Sequence, residues 1–444
     1  MRRYSPNAGR ITAHTTTARL RRLALGLSVL AALFALPGCY DQVVVPDFES
    51  DGRVDVTNDE DELDARTGYP DEDVPIDPDS TAAPTGPAGV APARAPSSIT
   101  LTLIGEIEPP VVGGEVLQAT SVWATRDDRA IVSYGMVGSQ ALGGLDFFTR
   151  LLNKRPKLSS ALAFNDADAY GVFTDGQRAY AATATVDTSF AYPAVLERIR
   201  ITGDKFRIDP DNMRVPLTSF AATSATSTGS VVYATSGDDG GLFAFDAGDM
   251  TLLGEYPLDD ARWVALDEDN GRVVVVQGTP GRLAVFAEGE FPGGSMNLLN
   301  TFTFPGADVA ESKSTVEVAG GKAFVAAGPE GVQVVCLDDG QIIGTVPRPD
   351  PASLGLDPSV VVTNAVTVDE DLMFISNGEA GVYAAAGTDS FASLPCSQPM
   401  SITTLGRLRF DDLQSANHVS YRNDALFVAA GLGGTKIVDV DLGR

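Results

Sequence analysis

The chain has 444 residues, with 32 basic against 59 acidic side chains and a formal net charge of −27. So acidic a chain is repelled by nucleic acid and by anionic lipid head groups, and its charge acts first as a solubility device. It carries two histidines and three cysteines, which leaves no room for multi-histidine metal centres or a dense disulfide framework.

Residues 1–38 hold six arginines and no acid, followed from Leu23 to Leu36 by the apolar run LALGLSVLAALFAL. Fourteen apolar residues are too few to cross a bilayer, for which about 20 are needed. A basic stretch, a short apolar stretch and a small residue before a cleavage point read as a secretory signal. The next residues, Leu36-Pro37-Gly38-Cys39, resemble the lipobox of bacterial lipoproteins. The resemblance implies cleavage between Gly38 and Cys39 and acylation of Cys39, with several acyl chains giving a stable membrane anchor. Proline at the second position departs from the usual small residue. Tyr40 rather than an aspartate follows the cysteine, so outer membrane or cell surface is expected over retention at the inner membrane. The mature chain has 26 basic and 59 acidic residues, a net charge of −33.

Residues 39–97 read as the lipidated cysteine and a disordered tether. From 40 to 97 there are 15 acidic and three basic residues and eight prolines, with the acidic run NDEDELD followed by TAAPTGPAGVAPARAPSS. Such composition buries little, and the acidic run lacks the fixed geometry of a calcium loop.

From residue 98 to 444 the texture is short β-branched runs separated by Gly, Asp, Asn and Pro, with no convincing amphipathic helix. A unit recurs: an apolar strand, a glycine, two residues, a second glycine and another apolar strand. It reads FVAAGPEGVQVV from Phe324, FISNGEAGVYAA from Phe374 and FVAAGLGGTKIV from Phe427, with weaker copies from Val232, Val274 and Ile131. The leading glycines, Gly135, Gly237, Gly278, Gly328, Gly378 and Gly431, are spaced by 102, 41, 50, 50 and 53 residues. A degenerate copy, TDGQRAYAATAT from Thr174, fills the double gap and makes seven units, each of a length suited to a four-stranded propeller blade. Turn residues precede most units at Asp128, Gly271, Gly321, Asp371 and Asp424. Outer strands with a central glycine follow at LLGEY, IIGTV and TLGRL, and the same pattern, LIGEI from Leu103, stands before the first unit. The last unit ends at KIVDVDLGR with no outer strand of its own, so the N-terminal strand is expected to complete the last blade and close the ring. The expected fold class is thus all-β, a seven-bladed β-propeller.

ALFVAAGLGGTKIVDVDL resembles an LVIVD repeat, a propeller unit of bacterial and archaeal surface proteins. The resemblance carries no general catalytic residue set. WD40 repeats fit poorly, because the mature chain has only Trp123 and Trp263 and no WD dipeptide.

The repeated G-x-x-G reads as hairpin turns rather than as a phosphate or RNA clamp. His418, the sole histidine of the mature chain, aligns with Ala365 and Thr315 in the first strand of a blade, where a packed or channel-lining role is expected. Cys336 and Cys396 either pair or stand as two small buried residues. No catalytic, cofactor or metal set emerges. The expected function is a membrane-anchored envelope lipoprotein whose propeller is a non-catalytic binding or scaffold module for an envelope or extracellular protein or glycan. The alternative is a lactonase-like or quinoprotein-like enzyme using the central channel.

Overall fold

In the computed structural model the described residues are 46–78, 98–136, 140–208, 213–306, 309, 312–410 and 415–443. Gly38 and Cys39 lie outside them. No helix among the described residues is long and apolar enough to cross a membrane.

Alternating apolar strands of five to eight residues cannot bury both faces within one sheet, and here they stack sheet against sheet around an axis. Among the described residues seven antiparallel sheets form seven blades. Their inner strands are Gln118–Ala124, Ala167–Thr174, Ala222–Ser227, Ala261–Asp267, Val316–Ala319, Ala365–Asp369 and His418–Arg422, which define blades 1 to 7 in that order. Each inner strand packs against the next, and the seventh returns to the first. Each junction between neighbouring blades owns a hydrophobic cluster. Between blades 4 and 5, for example, Val274, Val276, Leu283 and Val285 face Ala323, Val325 and Val335. The recurring units are the second and third strands of blades, as in Lys322–Ala326 and Val332–Cys336 of blade 5.

The ring closes as expected. Thr100–Ile107 pairs antiparallel with Thr435–Asp441 from Thr100↔Asp441 to Ile107↔Thr435, so the N-terminal strand is the outer strand of blade 7. The register shifts beside the central glycine of this strand, after Gly105↔Ile437. The same irregularity follows Gly254↔Ala244, Gly344↔Val334 and Gly406↔Ala384 in the outer strands of blades 3, 5 and 6. A side chain at Gly406 would meet the backbone carbonyl of Asp77 at 2.2 Å, so this glycine permits close approach of another segment. The turns before the units hold left-handed residues at Asp128, Gly271, Gly321 and Asp424; in blade 6 that conformation falls on Glu370, beside Asp371.

The tether expectation is corrected for residues 46–78, which form a strap along the outer rim. Phe48–Ser50 and Val54–Thr57 extend blade 1, pairing through Val54–Thr57 with its outer strand Lys157–Phe164. The acidic run folds into the helix Glu60–Ala65, capped by the Asp59 carboxylate, which accepts from the backbone N–H groups of Asp61 and Glu62. Thr67–Gly68 and Glu72–Asp73 pair with the outer strand of blade 7, and Ile76–Asp77 with that of blade 6, Ile402–Leu408. Val54, Val56, Leu63 and Val74 are buried in the inter-blade clusters, an apolar contribution too sparse to show as periodicity.

The strap is also held by charge. Arg66 forks Asp146 of blade 1 at 3.0 and 2.7 Å. Arg53 forks Glu197 of blade 2 at 2.9 and 3.2 Å, and Arg214 is ion-paired with the same carboxylate at 2.8 Å. Asp146 and Glu197 are buried, so each needs its arginine. Burial pushes Glu197 above the usual carboxylate range, and Arg53 and Arg214 oppose that rise. Residues 39–45 and 79–97, the rest of the expected tether, lie outside the described residues.

Candidate functional site

The first residues of the inner strands ring one mouth of the channel. At five of the seven junctions a side chain there donates to a backbone carbonyl of the next blade: Thr120 to Ala169 at 2.8 Å, Thr223 to Ala261 at 2.8 Å, Arg262 to Ser312 at 2.9 Å, Ser312 to Thr363 at 3.2 Å and Asn417 to Ala119 at 2.8 Å.

Two contacts cross the axis. Lys313, on the connection into blade 5, donates from Nζ to the carbonyls of Thr120 in blade 1 at 2.6 Å and Tyr170 in blade 2 at 3.3 Å. Its stem keeps some exposure while its ammonium lies deep, and burial pulls its pKa down to about 7. His418, where the sequence places it at the start of the inner strand of blade 7, stacks on Trp263 of blade 4 with centroids 5.0 Å apart. Burial, reinforced by the Lys313 charge, lowers the His418 pKa to about 3, so the imidazole is neutral. Its Nδ1 has no hydrogen-bond partner. Of the packed or channel-lining role expected for His418, the structure shows the packed one, buried against Trp263. Its partner Trp263 carries no sequence signal of its own, because the two meet from blades three apart, and Lys313 likewise reaches blades 1 and 2 from the far side of the ring.

Cys336 and Cys396 are joined in a disulfide, with Cα atoms 5.7 Å apart. The bond ties the end of the third strand of blade 5 to the loop before the outer strand of blade 6.

Antiparallel strands send alternate connections to opposite faces. The G-x-x-G turns and the blade-to-blade connections thus share one face, called here the loop face. Exposed on it are Val111, Val116, Tyr192 and Phe220, the last two brought together where Ala194 N–H donates to Ser219 O at 3.2 Å. Exposed carboxylates at Glu115, Asp238, Asp239, Asp259, Glu330 and Glu379 lie on the same face.

No protein-family model matches this chain, and no curated protein matches it. Among solved structures it is similar to a chain of the mitotic checkpoint complex, 9% identical, covering 79% of this chain and 96% of that one, with a TM-score of 0.51. It is also similar to the WD40 β-propeller domain of Doa1, 8% identical over 74% and 96% of the two chains with a TM-score of 0.48. The computationally designed Ika8 protein is 11% identical over 82% and 98%, with a TM-score of 0.42. At such identities likeness speaks to fold alone, and the fold is a β-propeller.

Proposed function

We propose that this chain is a bacterial cell-envelope lipoprotein of the LVIVD-repeat kind, anchored through acylated Cys39, whose propeller is a non-catalytic binding or scaffold module. The observation that carries the module reading is the doubly crossed axis: Lys313 and the Trp263–His418 stack occupy the centre, which leaves the loops as the recognition surface. Exposed carboxylates and exposed Val, Tyr and Phe side chains on one face suit a protein partner with apolar anchors and basic neighbours. Membership of one solved neighbour in a named complex accords with such a role. The anchor rests on the LPGC sequence.

The test has two parts. Metabolic labelling with a fatty acid should mark the wild type and not Cys39→Ala, which should leave the membrane fraction; a labelled variant refutes the anchor. Photo-cross-linking residues placed at Tyr192 and Phe220 should capture one discrete envelope protein, and one at Leu152 on the opposite face should not. Equal capture at all three positions, or none, refutes the loop face as the binding surface.

A further inference from the structure

The hairpin that opens the strap limits how far the propeller can stand from Cys39. Phe48–Ser50 is the outermost strand of the blade 1 sheet, two strands beyond Lys157–Phe164. It is fixed in place from three sides. The N–H of Asn58 donates to Asp47 O at 2.6 Å, and the N–H of Ile208 in blade 2 donates to the Glu49 carboxylate at 3.0 Å. Val54 and Val56, in the partner strand, are buried. The free reach of the chain therefore ends at Pro46. From Cys39 to Pro46 there are seven peptide steps, which span at most about 25 Å whatever path they take. A leash ending only at Ser98 would reach up to about 200 Å.

The strand at the end of this short leash presents an apolar side chain to its surroundings. Successive side chains of a strand alternate between its faces. Glu49 turns to blade 2, where it pairs with Arg207 at 2.5 Å, so Phe48 turns the other way, and it is 61% exposed.

We propose that Phe48–Ser50 is a membrane-contacting foot: the leash from acylated Cys39 holds the rim of blade 1 against the bilayer, and Phe48 enters the boundary between head groups and acyl chains. The inference rests on the anchor reading and deepens it. The rim of blade 1 is then the part of the ring nearest the membrane, and blade 4, across the axis, stands far from it. The mature net charge of −33 opposes approach to anionic head groups, so leash and Phe48 hold the rim without help from charge. The lipid surface they fit is zwitterionic. Contact at the rim leaves the loop face open to a partner.

The experiment places the acylated full chain in phosphatidylcholine vesicles with a short-range nitroxide quencher on some head groups. With Cys39 acylated and Cys336 bonded to Cys396, a newly introduced cysteine is the one thiol open to a fluorophore. Asp47→Cys, beside Phe48, is compared with Leu299→Cys, exposed on the outer strand of blade 4. Quenching at Asp47→Cys should be about threefold stronger or more. Adding Phe48→Ser should at least halve it with unchanged melting temperature. So should about 30 Gly and Ser residues inserted after Tyr40, a coil with a reach of about 30 Å. Flotation of the vesicles separates this inference from the anchor reading. A chain that does not float with them refutes the anchor, and the foot falls with it. A chain that floats but is quenched equally at both positions overturns the foot alone. Quenching at Asp47→Cys that ignores Phe48→Ser overturns the part given to Phe48.

Discussion

The imidazole of His418 lies over the indole of Trp263, 29° from parallel, although the two residues start from inner strands three blades apart. The stack requires a neutral imidazole in a buried place, and this makes the ring of blades acid-sensitive. In the folded chain His418 titrates near 3, against 6.5 for an ordinary histidine. Between those values the unfolded chain binds a proton that the folded chain refuses, so stability falls as pH drops through this window. The loss from this one group approaches about 1.4 kcal/mol per pH unit. His418→Phe keeps an aromatic ring over Trp263 and removes the titration. Denaturant unfolding between pH 7 and 4 should show a shallower decline for the variant than for the wild type; parallel curves would refute a buried neutral His418.

Lys313 acts at the other end of the scale. Its folded pKa of about 7 lies below the ordinary 10.5, so between these values the unfolded chain holds the extra proton. The penalty of burying the ammonium is complete below pH 7 and relieved as pH rises through the window. Relative to Lys313→Met, the wild type should gain stability from pH 7 to 10. A constant difference between the two unfolding free energies across that range would show that the ammonium is not buried.

The strap is an integral part of the propeller, and Arg66 is its strongest tie. Arg66→Ala leaves the Asp146 carboxylate buried in blade 1 without its fork, which costs about 3–5 kcal/mol for such pairs. Arg53→Ala should cost less, because Arg214 stays on Glu197 at 2.8 Å. Melting temperatures should rank wild type above Arg53→Ala above Arg66→Ala. A wild-type melting temperature for Arg66→Ala would restore the picture of a passive tether.

These contacts mark the limit of what residues 46–78 disclose on their own. The blades were legible because their repeat is carried locally, by strands, turns and glycines at fixed spacing, and LIGEI from Leu103 disclosed the closing strand in the same way. The strap has strand pieces of two to four residues, and its ties reach 80 residues from Arg66 to Asp146 and 144 from Arg53 to Glu197. Composition alone reads such a segment as solvated charge. His418 was placed by alignment with Ala365 and Thr315, but its partners Trp263 and Lys313 are set by the diameter of the ring, which no local pattern encodes.

The bond between Cys336 and Cys396 spans a separation of 60 residues. Constraining a loop of that length in the unfolded chain contributes on the order of 4 kcal/mol. Thiol titration of the denatured, unreduced mature protein should find no free pair. Replacing both cysteines by alanine should lower the melting temperature without changing the fold measured by circular dichroism. Two reactive thiols in the wild type would refute the bond.

Closure depends on Thr100–Ile107, and Ile104 tests it at one point. Ile104 is the residue left unpaired at the irregularity, and it diverges from its neighbour Leu103: Leu103 enters the cluster shared with blade 6, and Ile104 the cluster shared with blade 1, beside Phe427 and Ile437. The strand also carries the strap, through Thr67–Gly68 and Glu72–Asp73. Ile104→Asp therefore places an unpaired carboxylate in the junction that joins the last blade to the first, and should cost about 3 kcal/mol or more. Deleting Ile99–Ile107 is the harsher change. It bares the edge of Thr435–Asp441, removes the seat of the strap and leaves an open sheet able to pair with other chains. Scanning calorimetry should give a lowered single transition for Ile104→Asp and no cooperative transition for the deletion, which should also aggregate. If both variants melted and stayed soluble like the wild type, the N-terminal strand would not be what closes the ring.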